Sequence, residues 1–181
     1  MTNPARPLAL RAKNTPHRFS LTAMESTTLQ ETSTQAPAST AIRQLSVFLQ
    51  NRVGSLMALT KLLQDHSIEI LGLSMQDTTE MTLVRLILSD PESAGMLFIE
   101  KGIPHADCRI VVVELSESGH RLTECLSTLL MAELNIEFCY PLIVRPGLNP
   151  LLALHCDDGV AAADVLHRSG FRVMTQGDLS R

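Results

Sequence analysis

The sequence has no tryptophan and a single tyrosine, Tyr140, and only 3% of its 181 residues are aromatic. A core must therefore be assembled from Leu, Val, Ile, Ala and Met, which the apolar content of 45% allows. No run of about 18 apolar residues occurs, so no membrane-spanning helix is expected. No P-loop, GxGxxG or nucleophile elbow is present, so the usual signatures of phosphate binding, dinucleotide binding and acyl transfer are missing. The four cysteines, Cys108, Cys125, Cys139 and Cys156, form no CxxC pair. Without a secretory signal they read as free, mostly buried thiols in a reducing cytoplasm rather than as zinc ligands or disulfides. The expectation is a cytoplasmic protein with no cofactor, no metal and no catalytic activity.

Charge is unevenly spread. Four of the fifteen basic residues, Arg6, Arg11, Lys13 and Arg18, precede the first acid, Glu25. The body is thus more acidic than the whole-chain charge of −4. An acidic body repels phosphate backbones and argues against a nucleic-acid partner. Residues 1–41 hold Pro4, Pro7, Pro16 and Pro37 and a Ser/Thr/Gln-rich stretch with no apolar period, and they read as a disordered extension. A transit peptide would look similar, as would an over-long start with Met24 as the initiator. A short basic tail is the preferred reading, because no apolar signal segment follows.

What is present is a strand-turn-helix unit that recurs. Leu45, Val47 and Leu49 alternate as in a half-buried strand. Leu56, Leu59, Leu62 and Leu63 then share one helical face. Asn51-Arg52-Val53-Gly54-Ser55 joins the two, and Gly54 permits a sharp turn or a close approach. A shift of about 68 positions, on the scale that separates small domains, lays Ile68-Glu69 on Ile136-Glu137, Asp90 on Asp158 and Gly102 on Gly170. A slightly smaller shift upstream lays Val47 on Val113 and Leu56 on Leu122.

Each copy reads as βαββαβ. The fold class is α+β, with two ferredoxin-like repeats whose antiparallel sheets carry helices on one face. The lobes divide as 42–106 and 107–181. A short strand near Ile103–His105 should lead into Arg109–Leu115. The stripe of the third helix should be Leu122, Leu126, Leu129 and Leu130. Strands Ile136–Val144 and Leu151–Cys156 flank a stiff loop, Arg145–Pro150. A lobe of about 65 residues is marginal alone, so the two should pack together, and a homodimer is consistent with the remaining apolar sheet face.

Asp90 and Asp158 stand at matching helix starts and read as N-caps rather than catalytic carboxylates. His66, His105, His120, His155 and His167 are scattered, with no partner at ligand spacing. Arg43 and Arg109, at matching positions early in each first strand, read as charges guarding a sheet edge.

The segment Ser46–Met75 resembles the opening of an ACT domain, the small amino-acid-sensing module, typified by Asn/Asp-x-Pro-Gly-x-Leu after the first strand. Asn51-Arg52-Val53-Gly54-Ser55-Leu56 fits, with Val53 in place of proline. In the second copy Gly119 takes the proline's place and His120 the glycine's. The whole resembles stand-alone proteins of two ACT domains, and the first copy also resembles the small subunit of acetolactate synthase. That resemblance implies a regulatory protein that binds a small-molecule amino acid, acting alone or on a biosynthetic enzyme. A structural module without ligand is the other reading.

The resemblance implies ligand contacts at Asn51, Val53, Gly54, Ser55 and Leu56. Ile68, at the opening of the second strand, and Gly119, His120 and Leu122, in the second copy, are further candidates. The Gly54 amides would hold a carboxylate, Asn51 would hydrogen-bond the ligand, and Val53 and Leu56 would wall its side chain. Tyr140 reads either as interface packing or as a ligand contact.

Overall fold

A computed structural model describes residues 41–77, 81–116, 120–143 and 149–179. All of the expected extension 1–41 except Ala41, and most of the Arg145–Pro150 loop, lie outside the described residues. Lobe 1 runs β1 (Ile42–Gln50), α1 (Ser55–Asp65), β2 (Ile70–Asp77), β3 (Met81–Leu88) and α2 (Pro91–Glu100). Then comes β4 (His105–Glu114), followed by α3 (Arg121–Met131), β5 (Ile136–Pro141), β6 (Leu151–Cys156), α4 (Gly159–Arg168), β7 (Arg172–Val173) and the short α5 (Gln176–Leu179).

The helix boundaries follow local chemistry that the two lobes repeat. Asp90 accepts the Ser93 amide at the start of α2, and Asp158 accepts those of Val160 and Ala161 at the start of α4. Both helices stop at a glycine with positive φ, Gly102 at 65° and Gly170 at 81°. There the next amide turns back to the helix, from Ile103 to the Phe98 carbonyl and from Phe171 to the Leu166 carbonyl. Such C-caps satisfy carbonyls that the last turn leaves without a partner.

The strands form one seven-stranded sheet in the order β2-β3-β1-β4-β6-β5, with β7 beside the C-terminal half of β4. The two strands expected around Ile103–Leu115 are a single strand. The first part of β4 pairs antiparallel with β1, and its last four residues pair with β6. The boundary expected between 106 and 107 therefore falls inside β4. Arg43 and Arg109 face each other across β1 and β4, just before β1 takes up β3 at Gln44 and β4 takes up β6 at Val111. Arg43 forms a bidentate pair with Asp107 (2.5 and 2.8 Å), which offsets the like charge opposite it.

Alternation along β1 sorts its residues to two cores. Leu45 and Val47 pack under α1 and α2 with Leu59, Leu63, Leu86 and Phe98. Cys125, Leu129, Leu154, Leu166 and Phe171 form the equivalent core of lobe 2. A third core joins the open sheet faces, bringing Ile42 and Ile87 against Ile110, Tyr140, Leu142 and Ala153. The sheet curls until its end strands meet, at a bridge between Gly72 and Leu142 and a 2.7 Å bond from the Ile143 amide to the Leu71 carbonyl. A Cβ on Gly72 would lie 3.2 Å from both Ile87 and Leu142, so glycine is what lets the two edges close. Phe48, which cannot face the helices together with Leu45, Val47 and Leu49, lies on the other sheet face and is half exposed.

The stripe expected on α3 needs correction. Cys125 and Leu129 are its buried residues, while Leu122, Leu126 and Leu130 are exposed. The apolar residues of α3 span more of its circumference than the sheet can cover.

Candidate ligand-binding site

The turn after β1 is built by its own backbone. The Gln50 carbonyl accepts the Arg52 amide (2.9 Å) and the Ser55 hydroxyl (3.0 Å), and the Arg52 carbonyl accepts the Ser55 amide (3.2 Å). Gly54, at φ 88° and ψ −8°, then sets the chain into α1. That left-handed conformation costs any residue with a Cβ roughly 1–2 kcal/mol, and only glycine adopts it freely. Nothing lies within 4 Å of where a Cβ would be, so backbone conformation rather than crowding selects glycine.

No side chain caps α1. The Ala58 amide bonds the Gly54 carbonyl (2.9 Å), whereas the Leu56 and Met57 amides find no acceptor among the described residues. They are the donors a helix start offers to an anion, reinforced by the partial positive charge of the helix dipole.

Facing this turn is the end of the β2-β3 hairpin. The Asp77 carboxylate accepts Asn51 Nδ2 (3.2 Å) on one oxygen and the Thr82 hydroxyl (3.0 Å) on the other. Loop and hairpin together enclose a cleft of about 370 Å³. Its apolar walls are Leu49, Val53, Leu56, Met57 and Met75. Val53, Met57 and Met75 are 106, 71 and 55% exposed, a cost in water that an apolar occupant would remove. The cleft thus sets uncommitted amide donors, a fixed carboxylate and an apolar wall side by side.

The expected residues divide between places. Asn51, Val53, Gly54, Ser55 and Leu56 line this cleft. Ile68 is buried beneath α1 and does not reach it. Gly119 lies outside the described residues. His120 occupies the start of α3 in the right-handed region (φ −81°), without a side-chain cap, and Leu122 sits on the exposed flank of that helix. Tyr140 is buried between the lobes, and its hydroxyl donates to Gln44 Oε1 at 2.7 Å. Burial there pushes its ionisation above the ordinary value.

Sequence reading missed Met57, Met75, Asp77 and Thr82. Only the fold sets Asp77 opposite Asn51.

Three of the histidines have local structural partners. His155 stacks on Phe138 (4.7 Å between ring centres) and meets Glu137 at 3.0 Å, and His66 and His105 contact nearby backbone carbonyls. Among the described residues no group of three or more His, Cys, Asp or Glu is placed to hold a metal. No described helix is long and apolar enough to cross a membrane.

The profile of the ACT domain pair matches residues 40–181. The chain belongs to the ACT domain pair family. Its fold is similar to that of protein BT0572 from Bacteroides thetaiotaomicron, with a TM-score of 0.74 at 20% identity, over 80% of this chain and 99% of that one. It is also similar to the regulatory subunit of aspartate kinase from Thermus thermophilus, with a TM-score of 0.50 at 8% identity, over 72% and 93% of the two chains. At such identities the likeness shows the fold alone. No curated protein sequence matches the chain. In this ACT domain pair the cleft just described lies in the first of the two repeats, at the turn between β1 and α1.

Proposed function

We propose that this ACT domain pair is a non-enzymatic regulatory protein that binds one free α-amino acid with an apolar side chain in the cleft between the 51–57 turn and the β2-β3 hairpin. The observation that carries this reading is the pairing of opposite polarities across one small cleft. The amides of Leu56 and Met57 receive the ligand carboxylate, and Asp77, held by Asn51 and Thr82, receives its ammonium. Val53, Met57 and Met75 cover the side chain. Charge-assisted bonds to both ends of a zwitterion give orientation as well as affinity, and apolar burial selects among side chains. Val53, standing where the family motif has proline, leaves a free side chain on this wall.

The test is a thermal-shift screen of the purified protein against the twenty amino acids, followed by calorimetry. A ligand at 100 times its dissociation constant raises stability by about 2.7 kcal/mol. Aliphatic amino acids should give the largest shifts, and Asp77→Asn should remove them while leaving the unliganded melting temperature within a few degrees. If no amino acid shifts the transition at millimolar concentration, the reading fails.

A further inference from the structure

We propose that the seam between the lobes carries a second binding site, for a small carboxylate or phosphate anion, built on Arg85 with the hydroxyls of Ser46 and Ser74. Arg85 stands in the middle of a row across three strands. It pairs in register with Ser74 on β2 and with Ser46 on β1. Side chains directly opposite in such a row share one face, with Cβ atoms about 4.5–5.5 Å apart. All three residues are half-buried. Their face is the one that meets lobe 2, since the Arg85 guanidinium lies 4.1 Å from the centre of the Phe138 ring.

Each of the three has a donor to spare. Two N–H groups of Arg85 share one neutral acceptor, Gln76 Oε1, at 3.3 Å. A guanidinium has five such groups, and the others meet no acceptor among the described residues. No described carboxylate forms an ion pair with Arg85. Across Phe138, Glu137 is engaged by His155 at 3.0 Å. Ser46 Oγ accepts Gln44 Nε2 at 3.2 Å, which leaves the hydroxyl proton to donate. The Ser74 hydroxyl has no partner among the described residues.

The second repeat shows what the frame itself requires. There the same row is Tyr140, Ala153 and Val112, joined by the equivalent pairings. All three are buried in the core between the open sheet faces. The fold therefore does not need a cation between two hydroxyls at this place. A guanidinium presents parallel N–H groups that match two oxygens of a carboxylate or phosphate. Partial burial strengthens that attraction over its value in water, and the Phe138 ring supports the guanidinium from one side. Met75 and Asp77, which line the cleft, alternate with Ser74 and Gln76 and so face the other side of β2. The inference is thus independent of the amino-acid reading.

Nuclear magnetic resonance on the full chain tests it. The Arg85 Nε–H signal is followed while inorganic phosphate or, separately, acetate is added at fixed pH and ionic strength. At least one anion should shift that signal along a saturable curve with half-saturation below about 10 mM. Tighter binding of phosphate assigns a phosphorylated ligand, and tighter binding of acetate a carboxylate. Ser46→Ala with Ser74→Ala spares the stack of Arg85 on Phe138 and should weaken binding by on the order of 10-fold. Arg85→Gln should abolish binding in calorimetry, and Asp77→Asn should leave it unchanged. Absence of saturation with both anions overturns the inference, and so does wild-type affinity in the double serine variant or in Arg85→Gln. Loss of binding in Asp77→Asn would put the anion in the cleft and overturn it as well.

Discussion

α1 and α3 end alike and begin differently. At their C-termini, Ser67 and Glu133 both sit at φ 57°, and the following amides, of Ile68 and Leu134, bond the Leu63 and Leu129 carbonyls at 3.0 Å. At their N-termini, Gly54 is left-handed at φ 88° while His120 is right-handed at φ −81°. The first turn opens a cleft against Asp77. In the second lobe an imidazole occupies the glycine's position. The two repeats share the frame that packs the core and differ at the surface. One lobe presents a cleft, and the other presents an apolar flank.

The sharpest way to break that comparison is to exchange the two turns. Gly54→Val should weaken amino-acid binding by on the order of 100-fold, or about 2.8 kcal/mol, because a β-branched residue resists the left-handed conformation. His120→Gly should leave the affinity of the first site unchanged. Calorimetry on both variants decides, and two equivalent sites per wild-type chain would refute the asymmetry.

Next in size is the closure of the sheet. Gly72→Val drives a side chain against Ile87, Leu142 and Tyr140 and should destabilise the protein by about 1–3 kcal/mol. Urea unfolding measures it. A loss below the error of that experiment would mean that the two edges do not hold each other.

The helix caps offer a smaller, paired test. Asp158 accepts two amides and Asp90 one. Asp158→Ala should cost about 1–2 kcal/mol and Asp90→Ala nearer 0.5–1. Equal costs would show that the second bond adds nothing.

A further effect is alkaline. Burial pushes the Cys125 and Cys156 thiols from 9.0 up to about 11 and also raises Tyr140, all three in lobe 2. The folded state then keeps protons that the unfolded chain releases, so their contribution is full below pH 9 and is lost as pH climbs toward 11. Cys125→Ala with Cys156→Ala should flatten the pH dependence of the urea midpoint across that range. An unchanged slope would assign the effect to other groups.

Local chemistry written in the sequence determined the elements. Strand alternation from Leu45 to Leu49, the Asp90-Pro91 helix start, the Lys101-Gly102 stop and their counterparts around Asp158 and Gly170 each act within a few residues, so they could be read without the fold. The repeat made the two-lobe plan legible for the same reason, since one local pattern occurs twice. Half of the cleft, the 51–56 turn, was legible too, through Gly54 and the motif around it.

What only the tertiary structure decided depends on which distant segments meet. Asp77 faces Asn51 because the β2-β3 hairpin ends beside the first turn. Tyr140 became a buried partner of Gln44 because the sheet curls back on itself. Leu122, Leu126 and Leu130 look like core residues by period. They are exposed because α3 turns its Cys125–Leu129 side to the core, a matter of orientation between elements that no single stretch of sequence contains.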